Sequence, residues 1–206
     1  MINRLKIGIS QRRMHDVKTL ESRDGLDIRL MKLVWNLGFL PIPLTAVTQN
    51  NNEYLSMLAL DGFILSGGND LGESPDRDIL EHDILTYSTA LHKPVLGICR
   101  GMQFINKFQD GALHKISGHV ATTHTVSGSL FDNSKVQVNS FHNYGILTDE
   151  LGNDLNAIAL ADDGVVEALS HSHHRWMGIM WHPERDDDTS VMDKKLIFEH
   201  LNGDLQ

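Results

Sequence analysis

The sequence predicts a three-layer α/β domain, with a mostly parallel central sheet, an antiparallel extension and helices on both faces. In the first half of the chain, short apolar segments alternate with longer segments of helical period. Those apolar segments are continuous runs, which is typical of parallel strands buried on both faces. From about residue 112 onward the strand-like segments become shorter, and we interpret them as the antiparallel extension.

The first half of the chain is predicted to supply the parallel strands and the helices between them. The predicted strands are residues 5–10, 39–44, 61–66 and 94–98, and the predicted helices are residues 24–37, 76–92 and 100–108. In the first helix, apolar residues recur at helical spacing and Gly38 follows as a stop signal. Prolines in residues 39–44 indicate a peripheral strand, because proline cannot donate to a central ladder. Asp76 and Asp78 favour a helix start, and Ile79, Ile84 and Leu85 are predicted to face the core.

The second half is predicted to form further strands and one closing helix. The strands are residues 134–140, 157–160, 165–169 and 175–181, and the helix is residues 189–201. A length of 206 residues predicts one domain over residues 1–206.

Charge and composition exclude several classes of partner. A net charge of −9 and a pI near 5.7 provide no basic field for nucleic acid. No segment approaches the roughly 18 apolar residues of a membrane span, and the N-terminal residues lack the apolar block of a secretion signal. A single cysteine cannot form an internal disulfide, which fits a reducing compartment. We therefore expect a cytoplasmic protein without nucleic-acid or membrane partners.

The twelve histidines raise the question of a metal site. No HExxH motif and no cysteine at zinc spacing accompanies them. The run from His171 to His174 reads as a solvated turn between strands rather than as a metal site. The expectation from sequence is a protein with no metal and no cofactor.

Cys99 lies where an apolar strand meets a predicted helix. The pentapeptide Gly97-Ile98-Cys99-Arg100-Gly101 has the form of a nucleophile elbow, in which small neighbours allow a sharp strand-to-helix turn. The helix N-terminus is expected to lower the pKa of the thiol. Glycine-rich turns also occur for packing reasons, so the pentapeptide alone leaves a structural cysteine as the alternative.

A thiol nucleophile needs a base and an orienting group, and the stretch MGIMWHPERD provides candidates. If residues 175–182 form a strand, His182 and Glu184 project to the same side, because side chains alternate with period two. The alternative is a solvated His-Pro-Glu turn. Together with the elbow, the order Cys…His-x-Glu predicts a catalytic triad.

Long stretches of the chain resemble one known family. KIGISQR, DGFILSGGNDL, KPVLGICRGMQFIN, VNSFHNYGI and GIMWHPER follow one another in the order found in class I glutamine amidotransferase-like hydrolases, particularly their free-standing γ-glutamyl hydrolase branch. The resemblance implies the flavodoxin-like fold of that class. It also implies that Cys99 attacks a γ-glutamyl amide to give a glutamyl thioester, while His182 transfers protons and Glu184 orients it.

The resemblance further implies a substrate pocket. Backbone amides of Gly68 and Arg100 would bind the oxyanion, and the loop of Gly67 and Asn69 would lie beside the elbow. Gln103, one turn after Cys99, would bind the glutamyl head, unless it is an exposed helix residue. Ser140, Phe141 and His142 match the loop that lines the pocket, although His142 could equally be a satisfied buried histidine.

The leaving group is the open question. Short length, ISQRR after the first strand and SGGNDL resemble small bacterial enzymes that hydrolyse γ-glutamyl-CDP-amidate in the synthesis of a capsule phosphoramidate. Gln11, Arg12 and Arg13 follow a strand end, where a guanidinium could bind a diphosphate, or they could be surface groups. The alternatives are γ-glutamyl-γ-aminobutyrate or another small γ-glutamyl amide as substrate, a glutaminase subunit supplying ammonia to a synthetase partner, and a non-catalytic binding module.

Overall fold

The computed structural model describes residues 4–46, 50–186 and 188–203. Their strands are β1 (Lys6–Ser10), β2 (Arg12–Asp16), β3 (Glu21–Gly25), β4 (Leu40–Leu44), β5 (Gly62–Leu65), β6 (Val95–Ile98), β7 (His114–Lys115), β8 (Val120–Ser127), β9 (Val136–Phe141), β10 (Tyr144–Gly145), β11 (Leu155–Ala161), β12 (Val166–His171) and β13 (Trp176–Ile179). The α-helices are α1 (Ile28–Asn36), α2 (Asn51–Leu58), α3 (Pro75–Leu91), α4 (Arg100–Phe108) and α5 (Val191–Asn202).

Nine strands form the central sheet, in the order β4-β1-β5-β6-β13-β12-β11-β8-β9. The first five are parallel and the remaining pairings are antiparallel. The predicted division is confirmed except at β13, which the sequence assigned to the antiparallel extension and which pairs parallel with β6 at the centre of the sheet. The strands β5, β6 and β13 at the centre are buried along their whole length, which explains their continuous apolar runs. Their carboxyl ends lie together at one edge of the sheet, where ligands bind in this class of fold. Among the described residues, no helix is long and apolar enough to span a membrane.

The proline signal correctly identified the edge strand, whereas the start of the first helix was predicted too early. The proline-containing strand β4 is the edge strand of the sheet, as predicted. Helix α1 begins at Ile28 rather than at residue 24, because Asp27 caps it by accepting a hydrogen bond from the Arg29 N–H.

Other predictions from periodicity were wrong. Ile79 is 56 % exposed instead of facing the core, whereas Ile84 and Leu85 are fully buried. The hairpin of β2 and β3, helix α2 and strand β8 were not predicted. The hairpin strands are mostly polar and exposed, so no apolar alternation marks them.

Candidate active site

Cys99 occupies a sharp turn between β6 and α4. Its backbone has φ 52° and ψ −104°, a strained conformation for a residue with a side chain, and its N–H donates to the Ile179 carbonyl at 2.8 Å. A Cβ on Gly101 would lie 2.0 Å from the Leu65 carbonyl oxygen, and one on Gly97 would lie 2.5 Å from the Gly101 carbonyl carbon. The turn therefore needs glycine on both sides of the cysteine, as an elbow requires.

The thiol itself is largely shielded from water. Cys99 is 7 % exposed, and this burial raises its pKa to about 12, although the Arg100 backbone N–H acts in the opposite direction. The predicted lowering of this pKa is thus wrong for the free protein. Desolvation outweighs the helix N-terminus, so the thiol is protonated at neutral pH, and any reaction through the sulfur would have to include loss of this proton.

Alkylation should reveal this protonated resting state. With iodoacetamide, we expect the modification rate of Cys99 in the free protein to rise about tenfold per pH unit without a plateau between pH 6 and pH 10, because only the thiolate reacts. Mass spectrometry gives the rate directly, since the chain has one cysteine. A plateau beginning near neutral pH would show a preformed thiolate and contradict this prediction.

His182 is held from two directions. Its backbone N–H donates to Asn139 Oδ1 at 2.9 Å, and Asn139 Nδ2 donates to the His182 carbonyl at 2.8 Å. Its ring Nδ1 lies 2.7 Å from Glu184 Oε1, and both side chains are buried. With the Nδ1 proton on this carboxylate, Nε2 carries the lone pair that can accept a proton.

The reason predicted for the pairing of His182 with Glu184 was wrong. Strand β13 ends at Ile179, before either residue, and residues Pro183–Arg185 form a single 3₁₀ turn that begins at His182. This turn, rather than strand alternation, brings the carboxylate to the imidazole.

Gly67 lies between the imidazole and the thiol. A Cβ at this position would be 2.7 Å from His182 Cε1 and 3.7 Å from Cys99 Cβ. The bare backbone therefore leaves room for the two side chains to lie on either side of this loop.

Two cavities meet at the His182 ring. The smaller, of about 110 Å³, is lined by Cys99 and by Gly68, Asn69, Asp70, Arg100, Gln103, Phe141, His142, Asn143, Tyr144, His182 and Arg185. The larger, of about 260 Å³, is lined by Arg12, Met14, Gly25, Leu26, Asp27, Leu30, Ser66, Gly67, Gly68, His182, Glu184 and Arg185. Gly68, His182 and Arg185 belong to both. A substrate with two unlike parts could thus place the bond between them beside this imidazole.

The remaining predicted site residues divide between the cavity walls and their support. Gln103 lines the smaller cavity and donates to the Tyr144 carbonyl at 2.9 Å, while Phe141 lies edge-on to the His182 ring. Ser140 is fully buried and donates to the His119 carbonyl, and Gln11 donates to the Leu44 carbonyl. Neither Ser140 nor Gln11 lines the two cavities described above.

Arginines flank the larger cavity. The Arg12 side chain passes over Gly68: a Cβ placed on Gly68 would lie 3.3 Å from both Arg12 Cδ and Arg12 Nε. Arg13 instead forms a salt bridge with Asp24, with 2.8 Å between Nε and Oδ1. Arg185, which the sequence reasoning missed, lies over the Phe141 ring at 4.6 Å and has no hydrogen-bond partner at Nε among the described residues. Its position directly after His-Pro-Glu was the available signal.

A buried ionic network supports both loops of the site. Glu81 is fully buried and accepts hydrogen bonds from Ser10 Oγ, Arg77 and Arg100. Arg77 also donates to the carbonyl of Gly68 at 2.8 Å, and Arg100 also contacts Asp78. Burial acts to raise the pKa of Glu81, but the two guanidinium groups outweigh it and lower that pKa, so the carboxylate stays charged.

Comparison with known proteins identifies the fold and the family of this chain. The strand arrangement is that of the class I glutamine amidotransferase fold: a putative GMP synthase protein from Thermoplasma acidophilum superposes with a TM-score of 0.73 at 23 % identity, covering 98 % of this chain and 94 % of that one. Residues 6–184 match the family model Peptidase C26. The chain belongs to the Peptidase C26 family.

Two relatives with assigned activities are similar over most of their length. The chain is 35 % identical to the gamma-glutamyl-CDP-amidate hydrolase of Campylobacter jejuni, over 88 % of this chain and 90 % of that protein. It is 24 % identical to the gamma-glutamyl-gamma-aminobutyrate hydrolase of Escherichia coli O157:H7, over 90 % of this chain and 85 % of that protein.

Proposed function

We propose that this protein hydrolyses a γ-glutamyl amide through a Cys99–His182–Glu184 triad. The observation that carries the proposal is that two cavities share His182 in their walls, with Cys99 lining only the smaller one and Arg12 lining only the larger one. The smaller cavity would hold the γ-glutamyl group and the larger cavity the leaving group. The activities of the two relatives support this class of reaction.

The raised pKa of the thiol defines how the first step proceeds. The Cys99 proton moves to His182 Nε2 as Sγ attacks the γ-carbonyl carbon, because a free thiolate is costly at this buried position. Glu184 holds the ring through Nδ1 and stabilises the imidazolium that forms. His182 then donates the proton to the leaving nitrogen, and the C–N bond breaks to give a glutamyl thioester.

Water completes the reaction. His182 Nε2 takes a proton from a water molecule that attacks the thioester carbonyl, and the Cys99 sulfur leaves and regains a proton. In both steps the backbone N–H groups of Gly68 and Arg100 are proposed to bind the oxyanion. The Arg77 hydrogen bond to the Gly68 carbonyl supports this role by fixing the peptide groups of that loop.

The glutamyl head is proposed to bind in the smaller cavity. Asn69, Gln103, Phe141 and His142 line it beside the thiol, and Gln103 is fixed by its bond to Tyr144. Because Gly67 has no side chain, the space between His182 and Cys99 is free for the γ-carbonyl of the substrate. A Cβ at position 67 would lie 2.7 Å from His182 Cε1 and 3.7 Å from Cys99 Cβ.

We further propose a nucleoside diphosphate amidate as the leaving group, with γ-glutamyl-CDP-amidate as the substrate and capsule phosphoramidate synthesis as its setting. Arg12 and Arg185 line the cavity where that group would lie, and guanidinium groups bind phosphate oxygens in pairs. The identity to the Campylobacter enzyme supports this choice. A single free cysteine is consistent with a cytoplasmic setting.

Arg12→Ala should distinguish binding of the leaving group from binding of the γ-glutamyl group. We expect KM for γ-glutamyl-CDP-amidate to rise roughly tenfold or more, because a charge-assisted phosphate contact contributes about 1.5–3 kcal/mol. KM for a γ-glutamyl anilide, which lacks phosphate, should change less than twofold. Steady-state kinetics on both substrates give the comparison, with Arg13→Ala as the matched control. Equal effects of Arg12→Ala on the two substrates would remove Arg12 from the leaving-group site.

A substrate panel tests the proposed function itself. Glutamate release is measured from glutamine, γ-glutamyl-γ-aminobutyrate and γ-glutamyl-CDP-amidate, and the highest kcat/KM is expected for the last. Preference for γ-glutamyl-γ-aminobutyrate would support the triad but contradict the proposed leaving group. Activity on glutamine that appears only with a synthetase partner would favour the glutaminase subunit, and no glutamate from any substrate would favour a binding module.

A further inference from the structure

We propose that His119, His142 and Glu167 form a zinc site, distinct from the cysteine chemistry. His119 precedes β8, His142 follows β9 and Glu167 lies on β12. All three are buried, and their ligand atoms lie within 4.8 Å of one another. Because they come from three separate parts of the chain, no spacing motif reveals them, and the sequence-based expectation of no metal had no means of finding them.

The distances between these atoms match a tetrahedral ion. Glu167 Oε1 lies 3.4 Å from His119 Nδ1 and 3.4 Å from His142 Nε2, and the two nitrogens are 3.3 Å apart. Bonds of 2.0–2.2 Å to zinc at tetrahedral angles separate the ligands by about 3.3–3.5 Å. Octahedral magnesium at 2.0–2.1 Å would need separations of about 2.9 Å. The spacing therefore favours zinc over magnesium.

Hydrogen bonds on the outer side of each ring orient the lone pairs inward. His119 Nε2 lies 2.8 Å from Asp163 Oδ2, and His142 Nδ1 lies 3.0 Å from the Tyr144 carbonyl. With the ring proton placed on each outer nitrogen, which faces an acceptor, His119 Nδ1 and His142 Nε2 are two lone pairs beside Glu167, and neither can donate a hydrogen bond across the 3.3 Å between them. A carboxylate or carbonyl behind each metal-binding imidazole is the usual arrangement.

Glu167 lacks the hydrogen bonds that a buried carboxylate requires. It is fully buried, and neither of its oxygens has a hydrogen-bond partner among the described residues. His124 Nε2 lies 3.3 Å from the same Oε1 and also has no hydrogen-bond partner among the described residues, but it is not one of the three ligands. Three acceptors whose ligand atoms lie 3.3–3.4 Å from one another need a cation between them. The competing occupant is a proton, because the Glu167 contact raises the pKa of His119.

The site would hold one wall of the smaller cavity. His142 lines that cavity and directly follows Phe141, whose ring packs on His182, while the His119 carbonyl accepts from Ser140. The expected role of the ion is thus to stabilise the β8–β9 end of the sheet.

Metal content and thermal stability test the site without reference to activity. Untagged protein is stripped with a chelator and titrated with Zn²⁺ alone. We expect one equivalent per chain by elemental analysis, and a Tm increase of roughly 5–10 °C once zinc exceeds Kd about 100-fold. Mg²⁺ should do neither. Failure to bind one equivalent, or an unchanged Tm, would leave a proton as the occupant and overturn the proposal.

Variants assign the ion to these residues. Glu167→Gln and His142→Ala should lose the equivalent, whereas the matched control His173→Ala, in the exposed histidine turn, should keep it. If the cluster variants fail to fold, Co²⁺ added to the stripped wild type decides: intense visible bands typical of tetrahedral cobalt are expected, and a weak octahedral spectrum contradicts the site. Zinc retained by a folded Glu167→Gln variant also contradicts it.

Discussion

Cys99→Ser is expected to abolish glutamate release from every γ-glutamyl amide while leaving Tm close to that of the wild type. A serine hydroxyl is a far weaker nucleophile in a site whose proposed base is an imidazole, so the loss in kcat should be on the order of 10⁴-fold or more. Serine fits the same space, and the elbow depends on Gly97 and Gly101 rather than on sulfur. Glutamate release and a thermal melt are the two measurements.

Two companion variants show whether the cysteine acts with its neighbours. His182→Ala should lose nearly as much activity, because the proton of a thiol with pKa about 12 then has no acceptor. Glu184→Gln should lose less, because the amide oxygen can still accept the Nδ1–H but does not stabilise the imidazolium. Full activity in the Cys99→Ser variant would disprove the mechanism, whatever the substrate.

Glu81→Gln is expected to be the most destabilising conservative change in the chain outside the elbow. The substitution keeps the shape but leaves Arg77 and Arg100, which are 1 % and 2 % exposed, without their shared carboxylate. Breaking such a buried pair costs about 3–5 kcal/mol, which lowers Tm by roughly 10 °C in a chain of this size. Thermal and urea unfolding measure the loss.

The chain contains a matched control for this change. Lys195 and Glu199 form the same i,i+4 pairing as Arg77 and Glu81, but the lysine is 71 % exposed. Glu199→Gln should therefore cost less than about 1 kcal/mol. Equal losses for the two variants would show that burial of the network contributes nothing.

The same network connects stability to the site. Arg77 holds the Gly67–Gly68 loop through its carbonyls, and Arg100 directly follows Cys99. In the folded fraction of Glu81→Gln, we expect the decrease in kcat to be larger than any change in KM. The loop and the elbow position the reacting groups rather than the rest of the substrate.

Parts of this architecture follow from local sequence. A continuous apolar strand ending in Gly-x-Cys-x-Gly predicts the elbow, since only residues without side chains fit where Gly97 and Gly101 lie. Prolines in β4 predict an edge strand for an equally local reason. The proximity of His182 and Glu184 was also predicted correctly, although a 3₁₀ turn and not a strand produces it.

Other features depend on contacts between distant segments. Arg185 reaches the cavity only because β9 brings Phe141 under it, and the ring of His142 faces Glu167 only because three strands converge. The ionisation of Cys99 belongs to this group as well: its position at a helix start indicated a lowered pKa, and burial by the surrounding chain raises it instead.

The sequence by itself determined the apolar strands of the parallel sheet, the glycine-flanked turn at Cys99 and the pairing of His182 with Glu184, because each depends on residues that lie close together in the chain. Only the tertiary structure decided which cavities meet at the imidazole, which carboxylates remain buried between arginines or histidines, and how strongly water is excluded from the thiol. Those properties depend on desolvation and on distances between residues far apart in the chain, and local sequence patterns carry no information about either.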